Sequence, residues 1–166
     1  MPMDNLVKRA QRGDADAFAE LIQSQMQNMY KTARAMLRDD EDAADAISDT
    51  ILVCWEKLKQ LKKEEFFKTW MTRILINKCN DYLRQRKKVY PVEEVEVMPV
   101  SPEAYENIEW MEMINCLDEK YRLIMVLYYV NGFNTTEISA ILHMPDSTVR
   151  TRLARGRGRM AELYTE

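Results

Sequence analysis

Glycine is scarce in this chain, four among 166 residues, and histidine occurs once. So few glycines leave no glycine-rich loop to cradle a phosphate. The single histidine, His143, has no cysteine near it, so no metal-ligand cluster forms. The cysteines Cys54, Cys79 and Cys116 are odd in number and far apart, which fits reduced thiols in a core better than disulfides. No apolar run is long enough to cross a bilayer and no signal peptide opens the chain, so a cytoplasmic location is expected. No motif brings a nucleophile, a base and a metal together, so neither catalysis nor a cofactor or metal is expected. Strand-like alternation is missing too, and the fold class is read as all-α.

Charge is present, and its layout matters more than its sum. The net charge is −3, yet residues 39–49 hold six acids and no base (Asp39, Asp40, Glu41, Asp42, Asp45, Asp49). Residues 56–88 hold eleven Lys/Arg against four Asp/Glu, and residues 89–120 hold nine acids and one lysine. Alternating patches of this kind suit a small protein that meets several partners of different sign.

The N-terminal half reads as helices. Phe18, Leu21, Ile22, Met26, Met29, Tyr30, Ala33 and Leu37 recur at threes and fours, which predicts an amphipathic helix with those residues inward. A second helix is expected from about Asp42 to Leu61, with Ala44, Ile47, Ile51, Trp55 and Leu58 inward. A third is expected from about Glu65 to Lys88, with Phe67, Met71, Ile74, Leu75, Cys79 and Tyr82 inward. Residues 89–102 carry Pro91, Pro99 and Pro102 among glutamates and read as an extended acidic linker, a short strand over Val92, Val95 and Val97 being the lesser option. Helices from about Pro102 to Cys116 and from Glu119 to Val130 follow, the latter closed by Asn131-Gly132. The result is two small helical domains, 1–88 and 103–166, joined by the linker 89–102.

The last thirty-odd residues form the most specific motif. Asn134 and Glu137 have the spacing of a capping box, and Ile138, Ile141 and Leu142 give the helix after them one apolar face. Pro145 ends that helix, and Asp146 or Ser147 is placed to cap the next. There Val149, Leu153, Gly156, Met160 and Leu163 make a buried stripe, with Gly156 allowing close helix contact. Off the stripe lie Thr148, Thr151, Arg152, Arg155 and Arg159, beside Arg150 and Arg157. This is a helix-turn-helix whose second helix is basic, a pattern that points to the major groove of DNA. His143, at a helix end, reads as a partner for the C-terminal dipole.

Two further faces follow from spacing. Thr69, Arg73, Asn77, Asn80, Arg84 and Lys87 form a polar stripe opposite the core face of the third helix. Phe66, Phe67 and Trp70 stand beside it, a composition suited to base edges, stacking and phosphates. Asp42, Asp45, Asp49 and Glu56 share one face of the second helix. That face would repel DNA and would suit a basic protein surface.

Taken in order, three segments and the helix-turn-helix resemble a bacterial RNA polymerase sigma factor of the extracytoplasmic-function (ECF) group. The segments are Asp42-Ala-Ala-Asp-Ala-Ile-Ser-Asp-Thr-Ile-Leu-Val-Cys-Trp55, Phe67-Lys-Thr-Trp-Met-Thr-Arg-Ile-Leu-Ile-Asn-Lys-Cys-Asn-Asp-Tyr-Leu-Arg84 and Leu117-Asp-Glu-Lys-Tyr-Arg-Leu-Ile-Met-Val-Leu127. The resemblance implies a second sigma region in the N-terminal domain and a fourth in the C-terminal one. It implies docking of Asp42, Asp45 and Asp49 on the clamp helices of the largest subunit of core RNA polymerase. Trp70, Arg73, Asn77, Asn80 and Arg84 would recognise and open the −10 promoter element and hold its single strand. Ser147, Thr148, Arg150, Thr151, Arg152 and Arg155 would bind the −35 element. An anti-sigma factor, often membrane-bound, is an implied partner alongside polymerase and promoter DNA. Where relatives often have Gln-Glu this chain has Ser48-Asp49, which keeps the charge and loses an amide. A stand-alone helix-turn-helix regulator would explain residues 134–160 but neither the polar face of the third helix nor the acidic face of the second.

Overall fold

The computed structural model describes residues 3–88 and 108–165. The linker predicted over 89–102, and the start predicted for the helix after it, lie outside them. Eight α-helices carry the described residues: α1 (Met3–Gln11), α2 (Ala15–Met36), α3 (Asp40–Lys57), α4 (Phe67–Lys88), α5 (Ile108–Asn115), α6 (Glu119–Met125), α7 (Thr135–Leu142) and α8 (Asp146–Thr165). Short 3-10 turns at Leu58–Gln60 and Glu64–Phe66 bridge α3 to α4, and a π turn over Val126–Val130 extends α6. No strand occurs among the described residues.

Helices α2 and α3 begin where the sequence supplies an acceptor. Asp14 caps α2 by accepting from the Ala17 N–H at 3.1 Å, and Arg9 pairs with its carboxylate at 2.8 Å. Asp39 caps α3 by accepting from the Glu41 N–H at 2.8 Å, and Asp40, Glu41 and Asp42 fill the first turn, where the helix dipole favours carboxylates. Asp40 also joins α3 to α2, accepting from Tyr30 at 3.0 Å and pairing with Arg34 at 3.1 Å.

The buried faces depart from the sequence pattern in three places. In α2 the exposed residue is Met26, at 39%, and Gln25 is buried in its place. In α3 the buried stripe is Ala43, Ala46, Ile47, Thr50 and Cys54, continued by Leu58 in the turn that follows, so Ala44 is exposed and Trp55 stands at the rim. Trp55 keeps one contact with the core, its ring 4.9 Å from that of Phe18. The stripe is turned because α3 packs against both α2 and α4, and small residues line the side where two neighbours approach. Cys54 and Cys79 are buried, and burial pushes both thiols up to about 12, whereas Cys116 is exposed and is no core residue. The α4 core face follows the sequence: Phe67, Met71, Leu75 and Cys79 are buried, with Ile74 and Tyr82 packed at its edge.

The helix-turn-helix forms around α6, α7 and α8. Asn134 accepts from the Glu137 N–H at 2.8 Å while the Glu137 carboxylate accepts from the Asn134 N–H at 3.0 Å, so the capping box is complete. The chain leaves α7 at His143, whose φ of 55° and ψ of 46° place it in the left-handed region, and the Met144 N–H reaches back to the Ser139 carbonyl at 3.2 Å. Neither Asp146 nor Ser147 caps α8. The Pro145 carbonyl accepts the first helical bond, from Val149 at 3.1 Å, and Asp146 enters the first turn, where it pairs with Arg150 at 3.1 Å. Val149, Leu153 and Gly156 are buried against α6, and Met160 and Leu163 pack at the edge of the same core. A Cβ on Gly156 would stand 2.9 Å from the Met125 sulfur, so glycine is what lets α8 lie this close.

The two halves do not stand apart. One hydrophobic core runs through both, and α2 packs on α6 and its π turn while α4 packs on α7.

Candidate nucleic-acid interface

On α4 the residues singled out for DNA contact share one face. Arg73, Asn77, Asn80 and Arg84 are all exposed, and Trp70 at the head of the stripe is half-buried, its ring 6.1 Å from that of Phe67. Just before the helix, Phe66 is 51% exposed with the Lys63 ammonium 5.9 Å from its ring centre. An aromatic edge next to amides and guanidinium groups can stack an unpaired base and hydrogen-bond its edge. The arginines are engaged within the chain: Arg84 pairs with Asp81, and Arg73 lies 3.3 Å from the His143 ring. Asn77 and Asn80 supply the uncharged donors and acceptors between them.

The segment before α4 is held by α1, which the apolar repeats did not single out. The Gln11 amide donates to the carbonyls of Leu58 at 3.0 Å and Leu61 at 2.9 Å, tying down the turn that leaves α3. The Leu58 carbonyl already accepts from the Leu61 N–H at 3.1 Å, and the glutamine adds a second donor there and one for Leu61.

On α8 the outward residues divide by what they touch. Ser147, Arg150, Thr151 and Arg155 are exposed, Thr148 and Arg152 half-buried. Thr151 spends its hydroxyl on the Ser147 carbonyl at 2.9 Å, and Arg150 leans on Asp146. Burial pushes the Tyr121 phenol up, and Arg155 with Lys120 more than reverses it, so the Arg155 guanidinium lies beside that ring. Arg157 is turned away from this group: it donates to the Tyr129 hydroxyl and sits 5.3 Å from the Tyr128 ring centre. Arg159 pairs with Glu162 at 3.5 Å.

The acidic face of α3 abuts α4. Asp45, Asp49 and Glu56 are exposed and Asp42 half-buried. The Tyr82 hydroxyl of α4 donates to Asp49 at 3.1 Å. Burial, that hydrogen bond and the charges of Asp49, Asp45 and Asp42 together raise the Tyr82 phenol to about 12. Asp49 touches that hydroxyl, and Asp45 and Asp42 act on it through their charge. Leu52, 58% exposed, shares the outer surface of α3.

Sequence spacing missed the polar residues between the halves. Arg122 and Asn131 are each only 5% exposed. Arg122 had a signal, since it is the one charge inside the apolar run Tyr121–Leu127. Asn131 had none, because Asn-Gly after a helix reads as a turn, and Gly132 does take a φ of 77° there.

Comparison with known proteins follows the same division of the chain. The family model for sigma-70 region 2 matches residues 21–89, and that for sigma-70 region 4 matches residues 108–160. The ECF RNA polymerase sigma factor SigW of Bacillus subtilis (strain 168) is 27% identical over 175 residues, spanning 95% of this chain and 94% of its own length. SigM of Mycobacterium tuberculosis is 29% identical over 155 residues, 91% of this chain and 79% of its own. Among solved structures, CnrH in complex with the cytosolic domain of CnrY aligns with a TM-score of 0.72 at 23% identity, covering 98% of this chain and 97% of that one. The sigma factor RpoE of Bartonella quintana, solved with the anti-sigma factor NepR, aligns with a TM-score of 0.69 at 22% identity, covering 86% and 95%. At those identities the two structures bear on the fold.

Proposed function

We infer promoter-directed transcription initiation from one premise: the chain belongs to the sigma-70 family, in its ECF group, with region 2 and region 4 in order. It binds core RNA polymerase and directs it to promoters. The observation that carries this reading is that region 2 and region 4 of the family both match this chain, each match containing most or all of a helix with an exposed polar and basic face, α4 and α8.

The division of labour within that function is our proposal. The acidic face of α3, with Asp42, Asp45 and Asp49, docks on the clamp helices of the largest polymerase subunit. Trp70, Arg73, Asn77, Asn80 and Arg84 recognise the −10 element and hold its non-template strand once it opens, through stacking, amide contacts to base edges and phosphate pairing. Ser147, Thr148, Arg150, Thr151, Arg152 and Arg155 bind the −35 element in the major groove, where a guanidinium fits the two acceptors of guanine. Residues 89–102 join the two domains. Each domain alone binds weakly, and polymerase makes the second contact effectively intramolecular once the first has formed. The chain contributes binding energy and no bond chemistry.

An anti-sigma factor is the proposed regulator; the RpoE structure holds one, NepR, in complex. The proposed location is the cytoplasm, where polymerase works, with membrane attachment only through such a partner. Among the described residues no helix is long and apolar enough to cross a membrane.

The test is transcription in vitro with purified core polymerase on pooled genomic fragments, with and without the protein. New transcripts preceded by a shared pair of motifs are expected. No new start sites, together with tight DNA binding by the protein alone, would overturn the reading in favour of a stand-alone regulator.

A further inference from the structure

Asp146 stands where a negative charge costs DNA affinity. It lies in the first turn of α8, the end of a recognition helix that meets base edges, and a carboxylate there repels the phosphates around it. The fold makes little use of it. Helix α8 starts from Pro145, whose carbonyl accepts from the N–H groups of Thr148 at 3.0 Å and Val149 at 3.1 Å, so the Asp146 side chain is not the cap. Its Oδ1 is buried and finds no hydrogen-bond partner among the described residues. Its Oδ2 is committed to Arg150, one turn on. An exposed pair of that kind adds little to stability.

The manner of the pairing sets Arg150 apart from its neighbours. The nearest approach of Asp146 is to the Arg150 Nε, at 3.1 Å, the stem side of the guanidinium. No hydrogen bond among the described residues uses the terminal amino groups of Arg150, which is exposed. Arg159 instead meets Glu162 through Nη1, at the tip of its fork. Arg157 spends its Nε on the Tyr129 hydroxyl and lies against the rings of Tyr128 and Tyr129. Arg155 lies beside Tyr121. Arg150 is thus the arginine that is held at its stem by a carboxylate with its fork left open.

A fork held this way keeps two parallel donors facing outward. In the major groove guanine offers two acceptors, N7 and O6, whereas adenine offers one acceptor and one donor. A guanidinium free to tilt can settle for a single acceptor or for a phosphate. One held at Nε meets both guanine acceptors or leaves a donor unpaired, which is costly once water is excluded.

We propose that Asp146 is a specificity-determining residue: by pairing with the Nε of Arg150 it orients that guanidinium on one guanine of the −35 element, at a cost in total DNA affinity. The inference deepens the assignment of α8 to the −35 element and rests on it.

The experiment uses the full chain as wild type, Asp146→Ala, Arg150→Ala and the double variant. Each is combined with core polymerase on a promoter library randomised across the −35 element, and sequencing of the transcripts gives the base preference at every position. The wild type should prefer guanine at one position that Arg150→Ala releases. Asp146→Ala should lower the preference at that same position about tenfold and leave the other positions as they were. The library DNA retained by the chain alone should stay equal or rise, since a negative charge has gone. In the Arg150→Ala background Asp146→Ala should change the preference no further. Asp146→Asn, which keeps the shape and loses the charge, should shift the same position in the same direction, so a folding defect in the alanine variant does not decide the outcome. An unchanged preference, a loss spread over all −35 positions, a fall in total binding, or an equal effect without Arg150 would each overturn the proposal. The wild-type arm tests the sigma-factor reading separately. If it yields no transcript from any library member, that reading fails, and duplexes selected by the chain alone at low salt report the Arg150 position through the same four variants.

Discussion

Two basic helices serve this protein, and they are built differently. The outer face of α4 alternates guanidinium groups with the amides of Asn77 and Asn80 and has Phe66 and Trp70 at its head. The outer face of α8 carries arginines and hydroxyls with no aromatic residue from Asp146 to Leu163. A duplex offers base edges in a groove and phosphates along it, which guanidinium and hydroxyl groups can reach without stacking. An unpaired strand also offers base faces, on which aromatic rings stack. The composition of the two helices therefore suits the two proposed tasks. Their supports differ as well. α4 is buried on its core face by large side chains such as Phe67, Met71 and Leu75, whereas α8 owes its close seat to the missing side chain at Gly156.

The largest effect is expected from that seat. Gly156→Leu forces a side chain against Met125 and should cost the C-terminal half about 1–3 kcal/mol or more. Thermal melting of the variant should show an early loss of helix, and transcription from −35-dependent promoters should fall about a hundredfold. A melting curve like that of the parent would show that α8 does not sit as described. Charge reversal on the other half comes next. Asp45→Lys with Asp49→Lys should weaken association with core polymerase at least tenfold, by roughly 1.4 kcal/mol or more, with little change in folding. Unchanged affinity in a pull-down titration would remove the docking role of α3.

A pair of single substitutions sharpens the contrast between α4 and α8. Arg152→Ala should weaken −35-dependent transcription by about 1–3 kcal/mol of discrimination while core binding stays intact. Asn80→Ala should leave closed-complex formation near normal and reduce strand opening, read by permanganate reactivity of thymines around −10. If both variants failed at the same step, the two helices would not have separate tasks. The smallest effect concerns Tyr82, whose phenol burial and Asp49 hold at about 12 against an ordinary 10.0. Because the raised value favours the neutral hydroxyl, the stability it contributes is complete below pH 10 and is lost as pH climbs from 10 to 12. Asp49→Asn should move the ultraviolet titration of this tyrosine back toward 10, and an unmoved titration would refute the contact.

Local patterns were legible where one residue's partner lies within a turn or two. The Asn134–Glu137 box, the break at Pro145, the stripe from Val149 to Leu163 and the polar face from Arg73 to Arg84 are all of this kind. Patterns failed where the partner lies on another helix. Ala44 and Trp55 fit an apolar repeat as well as Ala43 and Cys54 do, and only the positions of α2 and α4 select which repeat is buried. Met26 and Gln25 exchanged places for the same reason.

The composition and order of residues thus dictated a helical fold, a helix-turn-helix with the capping box of its first helix, and two faces fit for nucleic acid. Those features depend on helical period and on hydrogen bonds between near neighbours, which are written in spacing. Packing alone decided the rest: the rotation of α3, the exposure of Cys116, the hold of Gln11 on the turn before α4, and the meeting of Arg122 and Asn131 with α2. Those contacts join residues separated by 47 to 99 positions. No periodicity along the chain encodes a pairing at that range, because it exists only once the helices have been brought together around a common core.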